Sequence, residues 1–436
     1  MNNSLIKTFF KYTGLNILGM IGLSCYILAD TFFVAKALGT IGLAALNFAI
    51  SVYSVMYGIG LMIGIGGATD FSIKKGKNNN SNNAFMHSLL IAGIFAFIFI
   101  LAGIFLPDQI SKLLGADSST IPLTSLYIRV IMLFSPFFLL NNILIAFIRN
   151  DDNPNLSMTA MLISSFSNIV LDYIFVFPLN MGMFGAVLAT CISPIISIGI
   201  LSIHFIKKKN SFSVKKFTFI LSELKVVISL GFSSFVGELA SSISLIVFNI
   251  VLMNLKGNAG VAAYGIIANI ALVVIAIFNG LAQGTQPLAS RYYGTGDFKK
   301  LNHILRYAIG TSLVLSVIIY IVLCIFTEPI VAVFSGNDKL LEDLASTGTR
   351  IYFIGIIFAS INVFLASFLS ATSKYIQALA ISILRSSVIL VPAVIIFSFI
   401  LNINGVWLAY VVTEFLVFTL SVIFTINLIY CFKKNY

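Results

Sequence analysis

Charge is what this sequence has least of. Only 9% of its 436 residues are Asp, Glu, Lys or Arg, while 59% are hydrophobic; a soluble domain carries about one quarter charged residues. A water-soluble globule is therefore excluded, because too few charges exist to cover its surface. Histidine and cysteine are scarce too. His87, His204 and His303 stand at the ends of apolar stretches, spaced unlike metal ligands. Cys25, Cys191, Cys324 and Cys431 fall inside such stretches with no CxxC spacing. They read as small apolar core residues, with no disulfide framework or thiolate metal site. GxSxG, HExxH and P-loop patterns are all missing, and the polar loops are short, so the sequence offers no enzyme active site.

What is present is apolar length. Segments of about 20 residues, enough to cross a hydrocarbon core of about 30 Å as helices, recur twelve times. They cover residues 13–36, 42–68, 85–106, 122–147, 157–178, 183–206, 225–255, 259–286, 303–326, 346–370, 376–400 and 405–431. The first is too long for a cleavable signal peptide and is expected to remain in the mature chain. Lysine and arginine set the orientation. With the N-terminus inside, the inner segments hold Lys7, Lys11, Lys74, Lys75, Lys77, Arg149, Lys207, Lys208, Lys209, Lys215, Lys216, Lys225, Arg291, Lys299, Lys300, Arg306, Lys374, Lys433 and Lys434. The outer loops hold Lys36, Lys112, Lys256 and Lys339. That asymmetry places both termini in the cytoplasm and the chain in the cell membrane. It also explains the net charge of +11 by contact with anionic lipid, without nucleic acid.

The chain repeats itself at half its length. "GLAALN" at 42–47 is echoed by "GVAAYG" at 260–265, "IKKGK" at 73–77 by "YYGTG" at 292–296, and "GAVLAT" at 185–190 by "GVWLAY" at 405–410. Nearly one offset, half the chain, relates all three pairs. The fold expected is an all-α polytopic membrane protein, twelve transmembrane helices in two six-helix lobes, 1–206 and 225–436. Residues 207–224 form a cytoplasmic linker suited to a surface helix or a loop. Six is even, so both lobes enter from one side, and their pseudo-twofold axis lies along the membrane normal.

Against that apolar background, "SNIVLDYIFVF" at 167–177 places Asp172 inside a span. A charge there costs about 2.5 to 3.5 kcal/mol, so it should face a cavity with partners. At 1.5 Å per residue Asp172 lies about 22 Å into span 5 and Asp30 about 25 Å into span 1 from the same side, while Ala186 and Thr190 lie within about 10 Å of the outer surface. Asn168 shares a helix face with Asp172. Asp30, Asn168, Asp172 and Thr190 thus bring two carboxylates, an amide and a hydroxyl to one depth, a hard-oxygen set for Na⁺ or a shared proton. The half-chain offset puts Val388 and Pro392 at the positions of Asn168 and Asp172, which confines this chemistry to the first lobe. Glu238 and Glu414 lie in spans 7 and 12. Each is either a secondary coupling or drug-binding group or a neutral, hydrogen-bonded carboxyl.

Three segments, "LADTFFVAKALGTIGLAALN", "NIVLDYIFVFPLNMGMFGAVLAT" and "GLAQGTQPLASRYYGTGD", resemble the multidrug and toxic compound extrusion (MATE) family over essentially the whole chain. The resemblance implies an efflux antiporter that exports organic cations against H⁺ or Na⁺, as a monomer, with no organic cofactor. It implies a cation site of Asp30, Asn168, Asp172, Thr190 and the Ala186 carbonyl, with Tyr26 lining the pocket. Some members bend span 1 at a proline; here Gly14, Gly19 and Gly22 stand instead, so that bend is not expected. The alternative is a lipid-linked oligosaccharide flippase of a related fold. A flippase should line its cavity with arginines, and only Arg385 is a candidate. A channel fits less well, because two lobes with one asymmetric cation site suit alternating access.

Overall fold

The computed structural model describes residues 2–214, 219–335 and 338–434. Lys215 and Lys216 lie outside the described residues, as do the side chains of Cys431, Lys433 and Lys434. The helices are α1 (Asn2–Gly76), α2 (Asn82–Phe105), α3 (Pro107–Leu113), α4 (Ile121–Leu133), α5 (Ser135–Asn150), α6 (Pro154–Val176), α7 (Gly182–Leu201) and α8 (Ile203–Ile206). There follow α9 (Leu221–Thr295), α10 (Phe298–Ile325), α11 (Thr327–Ser335), α12 (Lys339–Tyr352), α13 (Ile356–Ala371), α14 (Tyr375–Ile383), a π-helical turn (Leu384–Val388) and α15 (Leu390–Lys434). No strand occurs among the described residues. In lipid only a helix can satisfy each backbone N–H and C=O within its own segment.

Among the described residues, eight helical stretches are long and apolar enough to cross a membrane, nine if α4 and α5, bent by 53°, form one span. Pro136 sits in the first turn of α5, where it removes a donor and breaks the ladder. The sequence expectation separates spans 1 and 2, 7 and 8, and 11 and 12 by short loops. In the structure the separation at each place is a single residue between two helices, Gly39 (φ 64°, ψ −154°), Gly257 (φ 60°, ψ −146°) and Asn402 (φ 51°, ψ −136°), so that α1, α9 and α15 each contain two helices. A single left-handed residue turns the chain, and a side chain is strained there. The breaks follow the repeat. Gly39 and Gly257 hold equivalent places in its two copies, and Asn402 is the equivalent of Gly182, which also has positive φ, 58°.

The chain forms two compact units, Leu18–Phe235 and Met1–Ile17 with Val236–Tyr436. The starts of α1 and α9 each belong with the other repeat, and close backbone packing shows why. In the first unit a Cβ on Gly66 would lie 2.0 Å from the Val227 carbonyl oxygen, and one on Gly231 1.8 Å from that of Met62. In the second, a Cβ on Gly284 would lie 2.7 Å from Thr13 Cα, and one on Gly280 2.6 Å from Ile17 Cα. Met62 and Gly66 of one copy correspond to Gly280 and Gly284 of the other, so the same small-residue crossing occurs twice. Cysteine behaves differently from expectation. Cys191 is buried, whereas Cys25 is exposed, since it lies midway along a stripe with Leu18 and Phe32, both more than half exposed.

Residues 207–214 and 219–220 of the linker are irregular and Leu221–Leu224 open α9, and side-chain contacts tie the linker to the first unit. Phe212 is buried against Phe85, Phe147 and Phe71, at ring separations of 4.7, 5.3 and 5.6 Å. Asp151, in the α5–α6 loop, accepts from Lys75 Nζ (2.7 Å), Ser211 N (2.7 Å), Ser211 Oγ and His204 Nε2 (3.1 Å). Lys74 pairs with both Asp70 and Glu223. A surface helix would have to give up these contacts. Burial pushes the Asp151 carboxyl up, but the bonds from Lys75, Ser211 and His204 outweigh it and hold the group below the usual carboxylate range.

Two outcomes follow from this packing. Gly66→Leu should lower the melting temperature by several degrees, since overpacking costs about 1 to 3 kcal/mol or more, while Gly14→Ala, with open space at its Cβ, should change it little. Equal melting curves would remove the close crossing. Because the Asp151 value is depressed, its contribution is present above the ordinary carboxylate pKa near 4 and is lost as pH falls through the lower folded value. Amide exchange at Ser211, corrected for intrinsic rate, should therefore stay slow from neutral pH to about 5 and rise about tenfold in Asp151→Ala. Identical exchange in the variant would show that the carboxylate is not the anchor.

Candidate functional site

Helix α6 begins at a signal the sequence carries. The Asn153 side chain accepts from Leu156 N, and Pro154 fills the first position, where it needs no donor. From that start the helical period turns Asn168 and Asp172 inward, both fully buried, and leaves Phe166 and Tyr173 68% and 54% exposed. Helix α7 packs along α6 and presents Ala186 and Thr190, both buried. Asp30 comes from α1, 7% exposed. All five residues belong to the first unit.

The Asp30 and Asp172 carboxyl groups lie within hydrogen-bonding reach of one another. Thr190 Oγ1 donates to the Ala186 carbonyl at 3.2 Å and stands 3.4 Å from Asn168 Nδ2. Turning the Asn168 amide over lets its nitrogen donate to Asp172 Oδ2 at 3.2 Å and its oxygen accept from Thr190 N at 3.3 Å. We adopt that orientation, because an ionised carboxylate can only accept. Asp30 Oδ1 and Asp172 Oδ1 then remain buried without a hydrogen-bond partner. Two like charges that share an apolar enclosure cannot both ionise unless a cation joins them. The arrangement can hold one proton between the carboxyls. It can also take a Na⁺ ion, whose requirement for converging oxygens would turn the amide oxygen inward.

Tyr26, one turn before Asp30, directs its hydroxyl to Tyr53 Oη at 2.9 Å, and Tyr53 stacks on Tyr57 and meets the Phe138 edge, each at 5.8 Å. Sequence reasoning missed Tyr127. Its ring is buried on α4, with its phenol beside the Thr190 hydroxyl and both aspartates near. Depth could have found it, because a residue about 8 Å into span 4 from outside reaches the level of Thr190.

Glu238 and Glu414 are not part of this cluster; both lie in the second unit. Glu414, expected to be a coupling group or a neutral carboxyl, instead meets a cation. Arg385, on the π-helical turn, donates to Glu414 Oε1 through Nη2 (2.8 Å) and Nε (3.1 Å), and Asn362 Nδ2 donates to Oε2 at 2.8 Å. A guanidinium fork of this kind matches an ionised carboxylate. Where the first unit has oxygens the second has rings. In the second copy of the repeat Phe248 takes the place of Asp30 and Tyr410 that of Thr190. The two join one aromatic cluster in which Tyr352 stacks on Tyr410 at 4.0 Å and Phe248 on Tyr264 at 4.6 Å. Among the described residues, no three His, Cys, Asp or Glu side chains are grouped to hold a metal ion.

A multi-pass helical bundle with one buried dicarboxylate cluster is a transporter architecture, and comparison specifies it. The family model MatE matches residues 16–174 and 234–396, so the chain belongs to the MATE family. Multidrug export protein MepA of Staphylococcus saprophyticus is 27% identical over 377 residues, covering 85% of this chain and 82% of that protein. MepA of Staphylococcus aureus strain MRSA252 is 27% identical over 379 residues with the same coverage. Among solved structures, a MATE in complex with MaL6 superposes with a TM-score of 0.93 at 23% identity, over 98% of this chain and 97% of that one. The outward-facing conformation of a multidrug resistance MATE family transporter of the MOP superfamily gives 0.92 at 23% identity, over 98% and 96%. The chain is a multi-pass membrane protein.

The paired aspartates give a direct structural test. If they repel when no cation joins them, Asp30→Asn or Asp172→Asn removes one charge and should leave the melting temperature in choline buffer at or above that of wild type. A fall of several degrees in both variants would show that the carboxylates serve packing.

Proposed function

We propose that the protein is an efflux antiporter that exports lipophilic organic cations in exchange for H⁺ or Na⁺ by alternating access. The observation that carries this is the pair of buried aspartates with unpartnered oxygens, Asp30 and Asp172, inside a membrane-spanning unit. Such a charge is costly unless the protein uses it. The relatives' name, multidrug export protein, supports the direction of transport and the breadth of substrate. Half-buried tyrosine faces at Tyr26, Tyr53 and Tyr57 suit ring contacts with bulky cations. The flippase alternative loses its one candidate, since Arg385 is committed to Glu414. The basic inner segments support a cell-membrane location with both termini cytoplasmic. We further propose a monomer in which the bodies that move are the units Leu18–Phe235 and Met1–Ile17 with Val236–Tyr436, which differ from the sequence lobes 1–206 and 225–436 in the exchanged starts of α1 and α9, and a secondary role for Glu238.

In this reading the carboxyl pair takes up the coupling ion on one side of the membrane and releases it on the other, and each state favours a different ligand. Proton coupling needs only the two carboxyls, with the Asn168 amide hydrogen-bonding Asp172 as it stands. Na⁺ coupling needs the amide turned and the Thr190 and Ala186 oxygens engaged. In proteoliposomes, Asp172→Asn should reduce ethidium export at least tenfold while the protein still inserts; wild-type export would overturn the assignment. If Na⁺ is the coupling ion, Asn168→Ala and Thr190→Ala should abolish the dependence of export on external Na⁺ at fixed pH. If H⁺ is, the same variants should shift the pH profile and leave Na⁺ without effect.

A further inference from the structure

The start of α6, helix α8 and the lysines that follow it line an open cavity of about 240 Å³ that no step of transport uses. Lys207 and Lys209 stand at its rim, both exposed, and neither has a carboxylate partner among the described residues. Its back wall is already saturated. His204, 1% exposed, has Nε2 on Asp151 (3.1 Å) and Nδ1 on Asn153 Nδ2 (3.3 Å), which fixes it as a donor toward Asp151 and an acceptor toward Asn153. The Asn155 amide lines the cavity beside the two ammonium groups. No acidic side chain contributes to the lining, so the cavity is complementary to an anion.

The surface that leads away from it is apolar. On α6, Leu156 and Thr159 line the cavity, and Ile163 and Phe166, 44% and 68% exposed, continue the same helical face. From α8 into α7 the matching stripe is Ile203, Gly199 and Ile195, with nothing within 4 Å of a Cβ on Gly199. Helices α6 and α7 pack together and are joined by Ser164 Oγ to Ser193 O at 2.9 Å. An exposed apolar face, notched at Gly199, thus leads away from the lysine-rimmed cavity.

From this juxtaposition we infer that the cavity between α6 and α8 binds one anionic phospholipid of the cytoplasmic leaflet. Its phosphate meets Lys207, Lys209 and the Asn155 amide, and an acyl chain lies along the apolar face over Gly199. Charge selects the headgroup and the apolar face selects a lipid over a free anion. The inference rests on membrane embedding and on no particular transported substrate.

Full-length protein in detergent, stripped of lipid, would be titrated with dioleoyl phosphatidylglycerol, dioleoyl phosphatidylcholine and inorganic phosphate, with retained ligand read by native mass spectrometry. One phosphatidylglycerol should survive conditions that remove phosphatidylcholine. Lys207→Gln/Lys209→Gln should lower that retention on the order of tenfold, while Lys77→Gln/Lys112→Gln, equal in charge change but remote in sequence, should not. Gly199→Phe, which fills open space, should lower it with the lysines intact. Equal retention of phosphatidylcholine, wild-type retention in either cavity variant, or displacement of the lipid by millimolar inorganic phosphate would each overturn the inference.

Discussion

Two carboxyl groups face each other inside a bundle whose walls are apolar, and much of the first unit can be understood as the surroundings that arrangement requires. Each charge carries an insertion cost of about 2.5 to 3.5 kcal/mol. The helical spacing of α6 delivers Asp172 and Asn168 to one face, α7 brings a hydroxyl and a carbonyl, and α1 supplies the second carboxylate. Helix α4 adds the Tyr127 phenol. What is withheld matters as much. Among the described residues no lysine or arginine pairs with either aspartate, so neither is locked in a permanent ion pair.

The second unit shows what the same backbone does without that chemistry. Phenylalanine and tyrosine replace an aspartate and a threonine, and their rings occupy the volume in a stacked cluster with Tyr352 and Tyr264. Its one buried carboxylate with an ion-pair partner among the described residues, Glu414, is held by Arg385 through two N–H groups and by Asn362 through a third. Glu414 has a cationic partner, whereas Asp30 and Asp172 have no lysine or arginine partner among the described residues. Duplication preserved the helix breaks and the glycine crossings, and left the paired aspartates in one copy.

The polar residues at the basic end of the first unit do different work. Asp151 gathers a lysine, a histidine, a serine hydroxyl and a backbone amide. It thereby fastens the start of the linker beside the buried Phe212. That commitment explains why His204, on α8 in the wall of the cavity, is structural there and leaves the two lysines to meet an anion.

Much could be read before any coordinates. Low charge and recurring apolar length gave the class, lysine placement gave the expected orientation, and the half-chain echoes gave the duplication, because these depend on local composition and period alone. Helical arithmetic also brought Asp30, Asn168, Asp172 and Thr190 to one depth. The sequence could not say that Asp30 and Asp172 touch, which way the Asn168 amide points, or that Tyr127 joins them, since depth fixes one coordinate and leaves rotation about each helix axis free. It misread Cys25 and Glu414 for the same reason: the face of α1 that meets its neighbours, and the π-helical turn that aims Arg385, are settled by packing between helices distant in the chain. Composition and period decided that this chain lives in a membrane with a few buried charges; only tertiary structure decided which of those charges are paired and which are left open, because pairing depends on side-chain directions that no spacing along one helix specifies.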